Sequence, residues 1–249
     1  MLIEGPSGVG KTCVVFKVFE DLGWSKGKEF AYISGRDADA IQRLDTALAC
    51  ATSAEVAAGT STLVTVVDDF HLFPVQRRVG VGSTLKRISD LAFEYAAPPN
   101  FILIGIPTTG TSLLSDSYDL GPRLGSYRFT RASDNEIDRL LTEGEAALNV
   151  LFEDRDILLG ESAGNFWLAQ YICNKVCATQ EVFESQDDVR ILTFDLLGIR
   201  QRLMTELSQR YGPVAKTFAK GKKWRPGGNN PYFLNPAHSG LHRCRETLC

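Results

Sequence analysis

The stretch Gly5-Pro6-Ser7-Gly8-Val9-Gly10-Lys11-Thr12 decides how this chain of 249 residues is read. It fits G-x-x-x-x-G-K-[ST], a loop whose backbone amides cradle phosphate groups. Each residue type has a physical reason. Gly5, Gly8 and Gly10 reach backbone angles closed to other residues, so successive N–H groups can turn inward around an anion. Lys11 brings a compact positive charge to the β- and γ-phosphates, and the Thr12 hydroxyl is a ligand for Mg²⁺. With Pro6, Ser7, Val9 and the adjoining Cys13, these residues form the expected nucleotide-binding set.

The flanks agree with the motif. Met1-Leu2-Ile3 is a short apolar run suited to a buried strand entering the loop. After it, Val14, Val15, Val18, Phe19 and Leu22 recur at helical spacing, and Gly23 supplies a stop. Strand, glycine loop and helix thus follow in the order that points a helix N-terminus at a phosphate.

Working outward, Glu29 to Ile33 reads as a second strand closed by Ser34-Gly35, and a polar helix is expected from Asp37 to Ala51. Leu63-Val64-Thr65-Val66-Val67 is β-branched and nearly all apolar, as a central parallel strand buried on both faces must be. It ends on Asp68-Asp69. Ser83 is expected to cap a helix with Leu85, Ile88, Ala92 and Tyr95 on one face, ended by Pro98-Pro99. Phe101 to Ile106 is a fourth strand, followed by Pro107-Thr108-Thr109, and Tyr127 to Thr130 is a candidate fifth. The pattern then turns helical. Ser133 and Glu136 form a capping box for a helix reaching Leu148. Helices are expected over 154–161 and 165–178, and a long one from Asp187-Asp188 onward with Leu192, Leu196, Ile199, Leu203 and Leu207 on one face. No strand is evident after Thr130.

This pattern predicts an α/β fold: a parallel P-loop NTPase sheet sandwiched by helices, followed by a small all-α lid domain. The expected divisions are residues 1–132 for the nucleotide-binding domain, 133–212 for the lid and 213–249 for a basic, linker-like tail.

Composition sets the bounds. Hydrophobic residues are 44% and charged ones 23% of the chain, ordinary for a globular protein. No apolar run approaches the ~20 residues of a membrane span. The loop begins too early to leave room for a signal peptide, so no membrane and a cytoplasmic location are expected. Charge is uneven. From Lys216 onward seven Lys and Arg face Glu246 alone, a net +6 that leaves −9 on the rest of a chain whose total is −3. Such a tail could attract nucleic acid. Cys13, Cys50, Cys173 and Cys177 read as small core residues. His238, His242, Cys244 and Cys249 fit no zinc spacing, and no metal is expected there.

A phosphate loop needs a metal partner on a neighbouring strand. Asp68, at the end of an apolar strand, is expected to hold Mg²⁺ together with Thr12, and Asp69 to orient or deprotonate the attacking water. Thr108 and Thr109 follow the fourth strand, where a polar side chain can sense the γ-phosphate. Arg123 precedes the fifth strand and could donate charge to a phosphoryl group across a subunit boundary.

The arrangement from Met1 to about Ala219 resembles the AAA+ ATPases, and within them the STAND branch and the transposition-type ATPases. The resemblance implies ATP as the nucleotide, Mg²⁺, weak intrinsic hydrolysis and homo-oligomeric assembly. It puts the family's sensor-1 position on Thr108 or Thr109 and its arginine finger on Arg123. The stretch Ser162 to Cys173, with Ala163-Gly164-Asn165-Phe166, looks like the lid, although neither proline nor arginine follows Gly164 as in the family's sensor-2 pattern. Asp69 stands where many members have glutamate. The stretch Lys216–Phe233 resembles the family's run-out into a winged-helix domain, which implies a piece of a longer architecture.

Three functions compete on this reading. The first is an ATP-driven switch controlling a partner or an assembly. The second is a nucleic-acid-binding protein using the basic tail and Trp224. The third is a nucleotide kinase, since Gly5-Pro6-Ser7-Gly8 also resembles guanylate kinase, but no Arg/Tyr-rich monophosphate site follows the second strand.

Overall fold

A computed structural model describes residues 1–51, 64–92, 99–107, 109, 118–193 and 195–220. They fall in two units, Met1–Leu192 and Thr193–Cys249.

The first unit is organised by a five-stranded sheet: β1 (Leu2–Glu4), β2 (Phe30–Ser34), β3 (Val64–Asp68), β4 (Asn100–Gly105) and β5 (Ser126–Arg128). Their spatial order is β2-β3-β4-β1-β5, and every pairing is parallel. The period-2 alternation explains the near-continuous apolar strands. Leu2, Ile33, Val67, Phe101 and Leu103 point to one face and pack on α2 (Ala40–Cys50) and α3 (Val75–Asp90) through Leu44, Val81, Leu85 and Ile88. Ile3, Val64, Val66, Ile102 and Ile104 point to the other and meet Val15 and Phe19 of α1 (Lys11–Asp21). Both faces are covered, so a polar residue inside a strand would lose water on either side.

Helix α1 ends as its sequence predicts. Gly23 sits at φ +68, its N–H donates to Glu20, and the Trp24 N–H donates to Phe19 at 2.8 Å. This is a Schellman closure, and Phe19 and Trp24 stack with ring centroids 5.2 Å apart. The outer side of α1 departs from expectation. Val15 and Phe19 are buried, whereas Val14, Val18 and Leu22 are exposed. One helical stripe faces the sheet, and the apolar repeat is wider than that stripe.

Helix α3 begins at Val75, after Pro74, not at Ser83. Gly80 and Gly82 make the first half look like a loop by propensity, but burial of Val81 and Gly82 against the sheet overrides that weak preference.

Beyond Ala132 come α4 (Asp134–Leu148), α5 (Arg155–Ser162) and α6 (Phe166–Thr179). The capping box at Ser133 is present: its hydroxyl accepts from the Glu136 N–H, and Glu136 accepts from the Ser133 N–H at 2.8 Å. Two strands stand where none was expected, β6 (Val150–Phe152) and β7 (Arg190–Leu192), paired in parallel. Each has three residues, too few to show a period. Accordingly this part is not all-α, and Leu192 belongs to β7. In the second unit, α7 runs from Leu196 to Lys220, so the long helix starts later than Asp187.

Cys13 and Cys50 are exposed, which corrects their reading as core residues. Cys177 is buried and Cys173 half-buried. Burial pushes the Cys173 thiol up to about 12. Among the described residues no helix is long and apolar enough to cross a membrane. Tyr95 and the tail candidates Trp224, His238, His242, Cys244 and Cys249 lie outside the described residues.

Candidate nucleotide site

The site sits at the carboxyl edge of the sheet because β1 lies beside β4 and β4 beside β3. The loop leaving β1 and the acids leaving β3 therefore meet across a single intervening strand. Gly8 (φ +83) and Gly10 (φ +86) take left-handed backbone, and Gly10 leads directly into α1. Gly5 is required for a different reason. A Cβ there would stand 2.6 Å from the carbonyl oxygen of Phe129, the residue that follows β5.

Lys11 Nζ donates to the Gly5 and Pro6 carbonyls at 2.9 and 2.7 Å. Burial lowers its pKa, while Asp68 and Asp69 pull it the other way. The cation is held at the loop, one side-chain swing from any phosphate bound there.

Asp68 is buried and fully engaged. Its Oδ2 accepts from the Thr12 hydroxyl at 2.8 Å and from the Tyr32 hydroxyl at 2.9 Å, and its Oδ1 accepts from the Asp69 N–H at 2.7 Å. Burial, then the Asp68 charge, raises the Tyr32 pKa, so the phenol stays a donor. Thr12 and Asp68 thus put two hard oxygen donors side by side at the first turn of α1, a donor set suited to Mg²⁺ completed by water and phosphate. Among the described residues no group of three or more His, Cys, Asp and Glu forms an all-protein metal cage.

Asp69 is held differently. Its backbone is left-handed (φ 50), and its carboxylate pairs with Arg36, which follows β2, through Nε and through Nη2 at 3.3 Å. A Cβ on Gly35 would stand 2.6 Å from the Asp69 carbonyl, so the β2 turn and the acid pair pack directly. His71, two residues on, also faces the cavity. Burial lowers its pKa, against the opposing charge of Asp69.

A cavity of about 930 Å³ opens over these groups. Its walls are the loop from Ser7 to Val14, the acids Asp68 and Asp69, the strand-end residues Gly105 and Ile106, the connector Arg128–Ala132, and Phe166, Trp167 and Gln170 of α6. Of the residues expected from sequence, Ser7 to Cys13, Asp68 and Asp69 line it together. Thr109 is fully buried against Gly105 and does not line it, and Thr108 lies outside the described residues. Arg123 pairs with Asp90 and also lies off the cavity.

The sequence reading missed Arg36, Tyr32, Arg128, Arg131 and the α6 residues. Only Gly164-Asn165, a glycine and an N-cap residue ahead of an apolar helix, carried a local signal. At the joint Gly164 has φ +71 and its carbonyl accepts from the Ala132 N–H at 2.8 Å.

The same architecture is found in solved structures. Over 83% of this chain and 61% of the other, a mutant of Thermotoga maritima RuvB is similar with a TM-score of 0.50 and 17% identity. The Aeropyrum pernix ORC2 protein is similar in its ADPNP–ADP complexes (TM-score 0.50, 14% identity, 72% of this chain and 56% of that one). Its ADP form is similar over 75% of this chain and 58% of that one, with a TM-score of 0.50 and 13% identity. The chain therefore spans 56–61% of the length of these proteins. No protein-family model and no curated protein matches the sequence. The likeness is one of fold, a parallel P-loop NTPase sheet flanked by helices.

Proposed function

We propose that this chain binds ATP with Mg²⁺ and hydrolyses it slowly, as an AAA+ molecular switch of the STAND type that controls a partner or an assembly. One observation carries the proposal: the Thr12 hydroxyl bonded to Asp68 beside a loop held open by left-handed Gly8 and Gly10. A generic glycine turn has no reason to meet a buried strand-end carboxylate there.

On this reading Lys11 leaves the Gly5 and Pro6 carbonyls for the β- and γ-phosphates, and the loop amides hold the same groups. Thr12 and Asp68 hold Mg²⁺, which when bound neutralises charge on the transferring phosphoryl group. Asp69 orients and deprotonates the attacking water once its bond to Arg36 opens. Thr108 takes the γ-phosphate-sensing role, and Thr109, buried against Gly105, serves it indirectly by fixing the cavity edge. Arg123 leaves Asp90 to reach the nucleotide of a neighbouring copy. The divisions at residues 132 and 212 and a homo-oligomeric active state belong to the same proposal.

An arginine supplied in trans can be worth about 10³–10⁵ in rate, so the isolated chain is nearly idle. The test is ATPase specific activity against protein concentration for wild type and Arg123→Ala. Specific activity should climb with concentration in the wild type alone. A constant specific activity, unchanged by the substitution, would make the chain a self-contained hydrolase.

A further inference from the structure

The four carbonyls of the phosphate loop from Gly5 to Gly8 all have named partners. Lys11 takes those of Gly5 and Pro6. The other two are held by the start of α6: Asn165 Nδ2 donates to the Ser7 carbonyl at 3.0 Å, and the Trp167 N–H donates to the Gly8 carbonyl at 3.1 Å. When Lys11 moves to a phosphate it releases its two carbonyls. The two held by α6 stay.

Peptide planarity gives this a consequence. In a trans peptide the C=O and the following N–H point in opposite directions. A Ser7 carbonyl drawn to Asn165 turns the Gly8 N–H away from α6, and a Gly8 carbonyl drawn to Trp167 does the same for the Val9 N–H. Both amides are then turned to the side of the loop opposite their α6 partners, and Gly8 and Val9 both line the cavity, where successive N–H groups can collect an anion. Position 8 admits no side chain in this arrangement: a Cβ would stand 2.4 Å from Asn165 Oδ1, and φ is +83.

We infer that Asn165 is a positioning residue for phosphate, setting the direction of the loop amides without touching the ligand. The inference rests on the nucleotide reading above. It makes the helical module part of the phosphate site even though no lid arginine stands at this turn. Asn165 has a second, separable task, because its Oδ1 accepts from the Leu168 N–H at 3.1 Å and so caps α6.

The two tasks come apart in Asn165→Ser. Serine keeps a neutral cap acceptor, but its hydroxyl stem is too short for Ser7. Wild type and variant are compared by calorimetry with ATP and with inorganic tripolyphosphate, by thermal melting, and by the ¹⁵N amide signals of Gly8 and Val9. The expected result is an unchanged melting temperature and about fivefold weaker binding of both ligands, the worth of one ordinary hydrogen bond. Tripolyphosphate should also shift the Gly8 and Val9 signals less than in the wild type. Asn165→Thr, a second neutral cap of the same reach, should lose as much and keeps the comparison available if the serine variant melts early. Unchanged tripolyphosphate affinity in both variants would overturn the inference, and so would a loss confined to ATP, since Asn165 would then act on the nucleoside. A wild type that binds neither ligand would overturn the nucleotide reading itself, and the role of Asn165 with it.

Discussion

The carboxyl edge of the sheet and the first turn of α6 reach the same loop, but they hold it in different ways. At the sheet edge Asp68 is buried and bonded to Thr12, Tyr32 and its own neighbour's N–H, on a strand paired on both sides. Each of these part-buried bonds to a carboxylate is worth about 1.5–3 kcal/mol. At α6 two hydrogen bonds, from Asn165 and from the Trp167 N–H, join the helical module to the loop. The first region fixes where a metal and a phosphate can sit. The second holds two loop carbonyls by ordinary hydrogen bonds of about 1 kcal/mol each, a weaker grip that sets the direction of the loop and not the place of the metal.

The sharpest break in that comparison runs between the two adjacent acids. Asp69→Asn should slow steady-state hydrolysis by about 10²–10⁴-fold, the range for losing a general base, while ATP binding persists. Asp68→Ala should remove the Mg²⁺ dependence of ATP binding, read by titrating nucleotide with and without EDTA. An Asp69→Asn protein with normal turnover would take Asp69 out of the mechanism.

A smaller effect is expected at Arg36. Its side chain is largely exposed, so its pair with Asp69 is worth no more than about 1 kcal/mol. Arg36→Ala should therefore raise single-turnover hydrolysis by at most about fivefold by freeing the carboxylate. A decrease would mean that Arg36 aids the reaction and does not restrain it.

How much of this was legible in the sequence follows from the range of each signal. Gly8 and Gly10 were readable because left-handed backbone has a residue preference of its own. β3 and β4 were readable because a strand covered on both faces must be apolar throughout. The start of α3 was hidden by Gly80 and Gly82, whose propensity is overridden by the sheet beneath Val81. β6 and β7 exist only through pairing with each other, Val150 with Arg190, and have no local pattern. The site divides in the same way. Thr12 and Asp68 belong to a motif, whereas Arg36 on Asp69 and Asn165 on Ser7 are contacts between segments far apart in the chain, with ordinary polar residues at each end.

The least effect is expected at the start of α4, where the capping box borders the cavity wall. Ser133→Ala removes the capping box of α4 and should cost about 1 kcal/mol of stability by denaturant unfolding, with ATP affinity unchanged. A matching loss of affinity would show that the helical module and the sheet edge are coupled more tightly than two hydrogen bonds allow.

Calorimetric titration of ATP with Mg²⁺ into the wild-type chain and Lys11→Ala tests the phosphate loop most directly. Losing a charged donor to phosphate should weaken binding by about 10–100-fold, with the fold kept. Equal affinities for the two proteins would contradict the assignment of Gly5–Thr12 as a phosphate loop.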